Sequence, residues 1–182
     1  MNFSPYIAQT TSEFLRNCDV VNMIKTSSSN FQAFREYVNP AEMRDNKTLF
    51  HTACEKGRLQ FVMDNIGDNR VDPSLYNNHS IVKASYYGHT EIVRLLLADP
   101  RVNPADNSNH AIAWASWQGH TETVRLLLAD PRVDPAGYRN EPIERAAEFG
   151  HIGIVELLLN DYRIDVAKVA NALIGLALEN SC

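Results

Sequence analysis

Apolar residues recur along this chain in short bursts at helical spacing. In the stretch EIVRLLL, residues 91–97, Ile92, Val93, Leu96 and Leu97 fall on one side of a helix. The pattern predicts a helix over Thr90–Ala98, which Asp99-Pro100 then stops, because the residue before a proline avoids the α region. A preceding helix is predicted from roughly Leu49 to Lys56, with equivalents further along the chain. It leads to Gly57, and glycine suits a helix C-terminus because it adopts the left-handed conformation without a Cβ clash. Segments such as Arg101–Asn107 alternate too little for a strand. They read as short extended, turn-rich fingers around Pro100 and Pro104.

The bursts are copies of one unit. Gly88–Ala105, GHTEIVRLLLADPRVNPA, returns as Gly119–Ala136, GHTETVRLLLADPRVDPA. Sixteen of eighteen positions are identical, and only Ile92/Thr123 and Asn103/Asp134 differ. Stepping by the offset of 31 residues gives rungs at Gly57, Gly88, Gly119 and Gly150. Ala53, Ala84, Ala115 and Ala146 precede them, each followed by a small residue: Cys54, Ser85, Ser116 or Ala147. Val62, Val93, Val124 and Val155 form another rung, and Ile66, Leu97, Leu128 and Leu159 a further one. Asp68, Asp99, Asp130 and Asp161 are followed by Arg70, Arg101, Arg132 and Arg163, then Val71, Val102, Val133 and Ile164. A fixed period of this length means an array in which each unit packs mainly on its neighbours. The small rungs let first helices approach closely, while the Val and Leu rungs of the second helices fill the space between units. The expected architecture is an all-α solenoid of helix-turn-helix units.

These residues resemble ankyrin repeats. Thr48-Leu49-Phe50-His51 is similar to the family's T-P-L-H start. Ala146-Ala147, Gly150-His151 and Ile154-Val155-Glu156-Leu157-Leu158-Leu159 are similar to the remainder. The resemblance covers about Asp45 to Val166. It departs in length, since the usual unit is 33 residues, and in carrying DPRVDP where the family has G-A-D-V-N. The opening box also decays, to His79-Ser80-Ile81-Val82, His110-Ala111-Ile112-Ala113 and Glu141-Pro142-Ile143-Glu144. The expected division is an N-terminal helical cap over residues 1–45 and four repeats at 46–76, 77–107, 108–138 and 139–169. A C-terminal capping helix, half of a fifth repeat, follows at 170–182, with Ile174 and Ala177 on the Ile and Ala rungs. That half-unit is either a cap or the point at which a longer repeat protein continues.

A second reading competes for the N-terminal segment. Pro5, Phe14-Leu15, Asp19-Val20-Val21, Thr26-Ser27 and Phe31 loosely resemble an F-box, which implies docking onto the Skp1 subunit of ubiquitin ligases. The opening Leu-Pro-x-Glu signature is missing, and a degenerate first repeat fits the same stretch.

Composition narrows the function classes. A net charge of −5 over 182 residues argues against a dedicated nucleic-acid binder, which needs a basic stripe. Three cysteines, Cys18, Cys54 and Cys182, are too few and scattered for a disulfide framework. The first residues, MNFSPYIAQTTSEF, lack a basic region followed by an apolar stretch, and no apolar run approaches spanning length. The expectation is a monomer in the cytosol or nucleus, without membrane contact. The Asp/Arg rungs read as self-neutralising surface pairs, each worth little.

Catalytic and metal-binding chemistry find little support. His89, His120 and His151 recur, but equivalent residues on neighbouring packed helices sit roughly 8–10 Å apart, whereas zinc ligands lie about 2 Å from one ion. Each histidine is expected to hydrogen-bond near its helix–helix turn. His51 and Cys54, at i and i+3, form a Cys–His pair with no orienting group or oxyanion site in view. No metal, cofactor or catalytic group is therefore assigned. Asn2-Phe3-Ser4, Asn46-Lys47-Thr48 and Asn78-His79-Ser80 match the glycosylation sequon, a short motif that chance supplies.

The positions that vary beside the fixed rungs are rich in aromatic residues. Before the repeat glycines stand Tyr86-Tyr87, Trp117-Gln118 and Glu148-Phe149, with Trp114 on the same helix as Trp117 and Arg145 its equivalent. The fingers add Tyr76, Asn107, Tyr138 and Arg139. The resemblance implies that the positions before the glycine face a concave groove and contact a partner. Trp, Tyr and Arg are also the types enriched at interface hot spots. The sequence thus points to non-catalytic binding of a protein partner of unidentified nature, with Tyr76, Tyr86, Tyr87, Asn107, Trp114, Trp117, Gln118, Tyr138, Arg139, Arg145 and Phe149 as candidate contacts.

Overall fold

The computed structural model describes residues 46–69 and 71–170, apart from the side chains of residues 46–48 and 138. The cap or F-box-like reading of residues 1–45, and the capping helix beyond residue 170, lie outside the described residues. Residues 166–170 are helical.

Among the described residues, the helices up to Leu159 pair as four hairpins: α1 (Asn46–Glu55) with α2 (Leu59–Asn65), α3 (Leu75–Tyr86) with α4 (Thr90–Ala98), α5 (Asp106–Trp117) with α6 (Thr121–Leu128), and α7 (Gly137–Glu148) with α8 (Ile152–Leu159). No strand occurs among the described residues. The first helices α1, α3, α5 and α7 stack in one row and the second helices in another. The predicted Thr90–Ala98 is the observed α4.

Burial follows the rungs. Ala84, Ala115 and Ala146 are fully enclosed between neighbouring first helices, with Phe50, Ile81, Ile112 and Ile143 supplying bulk beside them. Val62, Val93 and Val124 close the gap to the second row, and Val71, Val102 and Val133 tuck the fingers under it. The deepest second-helix leucines are Leu96, Leu127 and Leu158, one position before the expected rung; Leu97, Leu128 and Leu159 are only partly buried. Thr123 replaces the buried isoleucine of the neighbouring repeats. Its hydroxyl is satisfied by Thr90 Oγ1 of the preceding unit, 2.8 Å away.

Each hairpin turn closes in the same way. The amide after each glycine donates to the alanine carbonyl five residues back: Arg58 to Ala53, His89 to Ala84, His120 to Ala115 and His151 to Ala146, at 2.8–3.0 Å. The glycine amide donates to the small rung, completing a Schellman motif, with glycine φ from +71° to +79°. The same histidine opens the next helix. Its ring turns back to the preceding unit, where Nε2–H donates to the last free carbonyls of the first helix: His89 to Glu55 O (3.0 Å), His120 to Tyr86 O (2.9 Å) and His151 to Trp117 O (2.8 Å). The ring then lies directly over the preceding glycine. A Cβ at Gly88 would come within 2.5 Å of His120 Nδ1, and Gly57 and Gly119 are covered alike.

The fingers hold a second set of inter-repeat bonds. Arg101, Arg132 and Arg163 each chelate the aspartate two residues earlier and also donate to two carbonyls of the preceding unit. For Arg132 these are Val102 O (2.8 Å) and Leu97 O (3.1 Å); Arg101 uses Val71 and Ile66, and Arg163 uses Val133 and Leu128. The expectation of self-contained surface pairs is therefore corrected. The aspartates are nearly buried, and the arginines cap the second helix of the previous repeat. The arginine hydrogen bonds hold the carboxyls of Asp99, Asp130 and Asp161 below their usual value.

The fingers end in left-handed turns. Tyr76-Asn77-Asn78 and Asn107-Ser108-Asn109 all have φ between +54° and +63°, and Arg139-Asn140 repeats the pattern. Asparagine tolerates this region better than most residues. Here it also bridges, since Asn78 Oδ1 accepts from the Asn103 amide and Asn109 Oδ1 from the Asp134 amide, both at 2.8 Å.

Gly88→Ala and Gly150→Ala face the same unfavourable φ, but no described atom lies within 4 Å of a Cβ at Gly150. Gly150→Ala should cost about 1 kcal/mol and Gly88→Ala at least about 1 kcal/mol more in urea denaturation, because it also displaces a hydrogen-bonded ring. Arg132→Ala should cost about 1–3 kcal/mol at neutral pH. A carboxyl with a depressed folded pKa stabilises above its unfolded value, about 3.9, and loses that contribution as pH falls through the lower folded value. Wild-type stability should therefore decline below about pH 4, with the gap to Arg132→Ala narrowing there.

Candidate partner-binding face

The first-helix row ends in the residues just before the glycines, and the histidine staples pin that end. Tyr86 and Trp117 each have their backbone carbonyl held by a ring from the next repeat. Their side chains are thereby presented at a fixed spacing.

An unbroken aromatic cluster results. Tyr86 meets Tyr87 edge-on with centroids 4.8 Å apart, Trp114 at 5.5 Å and Trp117 at 6.1 Å. Trp114 and Trp117 lie 4.8 Å apart at an interplanar angle of 43°, and Trp117 reaches Phe149 at 5.7 Å. These separations are those of favourable edge-to-face aromatic pairs. Tyr86, Trp114 and Trp117 are half-buried, whereas Tyr87 and Phe149 are 44% and 49% exposed at the two ends. Tyr87 also lies over His89 and directs its hydroxyl towards Glu55 Oε1. The cluster crosses three hairpins, although its members come from three short stretches of sequence.

Trp114 and Trp117 wall a pocket of about 120 Å³ that Ala113, Glu141 and Arg145 complete. Arg145 is exposed and paired with Glu141 Oε1 (3.5 Å) and Glu148 Oε2 (3.1 Å). Glu141 Oε2 is buried and has no hydrogen-bond partner among the described residues. Glu141 was not among the sequence candidates. It stands at the head of the decayed opening box, where threonine is usual, and that departure was the available signal.

The other candidates lie apart from this cluster. Tyr76 is exposed at the left-handed finger turn and packs against His51. Asn107 is hydrogen-bonded to His110, whose ring edge meets Trp114 at 6.3 Å. Arg139 is exposed at the equivalent turn, Gln118 is exposed beyond the end of α5, and the Tyr138 side chain lies outside the described residues.

The recurring histidines donate to backbone carbonyls at the helix turns, as their placement implied, and each lies in a separate repeat. His51 is hydrogen-bonded to Ser80. Burial pushes the Cys54 thiol up to about 12, against the smaller opposing effect of the Ser80 hydroxyl. Asn78 of the third sequon is buried and bonded to both Asn103 and Asp106. Among the described residues, no group of His, Cys, Asp and Glu is arranged to hold a metal ion, and no helix is long and apolar enough to cross a membrane.

The family model for ankyrin repeats, in its three-copy form, matches residues 61–136 and 81–170, which is more than half of the chain. The chain belongs to the ankyrin-repeat family. No curated protein matches it in sequence. Ankyrin repeats are generally protein-interaction modules, and the helix pairs described here are their helix-turn-helix units. The match begins at residue 61 and does not bear on the F-box-like segment.

Proposed function

We propose that this ankyrin-repeat protein is a non-catalytic binding module, of the cytosol or nucleus, that takes a protein partner across the exposed ends of α3, α5 and α7. The observation that carries the reading is the continuous aromatic cluster from Tyr87 to Phe149. Alanine, valine and isoleucine rungs already fill the inter-repeat core, so these five large rings are not needed to close it. They form a rigid surface of low conformational entropy with charged groups beside it, which is the composition of interface hot spots. Tyr86, Tyr87, Trp114, Trp117 and Phe149 are assigned as apolar anchors, and Arg145 as a charged flank. Tyr76, Asn107, Gln118, Tyr138 and Arg139 are assigned to the rim, on the finger side or beyond the end of α5. No cofactor is required.

Pull-down with wild type and the Tyr87→Ala/Trp117→Ala double variant, read by mass spectrometry, identifies the partner. Each single substitution should then weaken binding of the purified partner by more than about 1 kcal/mol, with melting little changed. Loss of stability without loss of affinity would make these residues core and overturn the reading.

A further inference from the structure

The Trp114/Trp117 pocket carries an asymmetry that points to the chemistry of its occupant. One oxygen of Glu141 is paired with Arg145 Nε at 3.5 Å, while the other, Oε2, is buried without a described partner. A buried carboxylate oxygen without a hydrogen bond is unfavourable, so a donor that reaches it is gained at little competing cost. The charges agree. Glu141 and Glu148 outnumber the single Arg145 between them, leaving the pocket's flank one negative charge in excess. Trp114 and Trp117 both line the pocket, and indole rings attract cations and accept aliphatic stems.

We propose that this pocket receives the ammonium group of a lysine side chain from the protein partner. The stem would lie against Trp114 and Trp117, and the ammonium would donate to Glu141 Oε2. Lysine fits better than arginine because a single acceptor is left unpaired. A guanidinium favours a bidentate carboxylate, and Arg145 already holds the other oxygen. This assignment rests on the proposed partner-binding face and adds the chemistry of what the face recognises.

The chain contains two tryptophans, and both are pocket walls, so the indole N–H resonances report on this site alone. The full chain, labelled with nitrogen-15, is titrated with Nα-acetyl-lysine methylamide and with its norleucine counterpart, which keeps the stem and lacks the charge. The lysine probe should shift both indole signals with an affinity about tenfold above that of the norleucine probe. Glu141→Gln should abolish that preference, and Arg145→Met, which removes the competing cation, should strengthen the lysine response. Equal shifts by the two probes, an unchanged preference in Glu141→Gln or a weaker lysine response in Arg145→Met would overturn the assignment. If lysine is not preferred while the Tyr87/Trp117 variant still loses its partner, the lysine assignment alone falls. A lysine preference alongside a partner that the double variant retains would overturn the assignment of this pocket to that partner.

Discussion

The structure depends on one contact repeated three times: an imidazole that opens the second helix of each unit after the first, lies over the glycine of the unit before and donates to a helix-terminal carbonyl there. It meets three requirements together. It satisfies a carbonyl that no intrahelical amide can reach. It fills the space that glycine leaves, so the glycine is needed for its missing Cβ as well as for its positive φ. It also sets the distance between neighbouring first helices at their exposed end. In a quasi-one-dimensional array, stability lies in such nearest-neighbour terms. The arginine clamps do the same at the fingers, at the far side of each unit.

The two sets of bonds explain why the aromatic residues form one surface. Tyr86 and Trp117 are anchored through their own carbonyls, so changes to their side chains leave the staples intact. The core rungs are free to stay constant while the residues beside them vary. That separation of scaffold from face is what makes a repeat array suitable for recognising a partner, and it gives the cluster its fixed geometry.

The helices and their packing were legible in the sequence because apolar spacing and a 31-residue offset report side-chain burial directly. Ala115 and Val124 could be placed in the core from register alone. What the pattern did not convey were bonds to backbone acceptors. Asp130 and Arg132 looked like a surface pair because nothing in a side-chain pattern reveals Val102 O or Leu97 O. The asparagines at 78, 109 and 140 were equally periodic, but their reason is a positive φ, combined at Asn78 and Asn109 with a bridge to the next finger. The aromatic candidates at the first-helix ends were legible as varying positions. Their union into one cluster, and the separation of Tyr76 and Arg139 at the finger turns, required the helix axes.

The central claim is that partner recognition occurs at the exposed ends of the first-helix row. A photo-crosslinking residue placed at Gln118, exposed beside Trp117, or at Arg125, exposed on the second-helix row, tests it without disturbing either staple. The account predicts that the partner is captured from position 118 and not from position 125. Capture from position 125 alone would place recognition on the opposite row and contradict it.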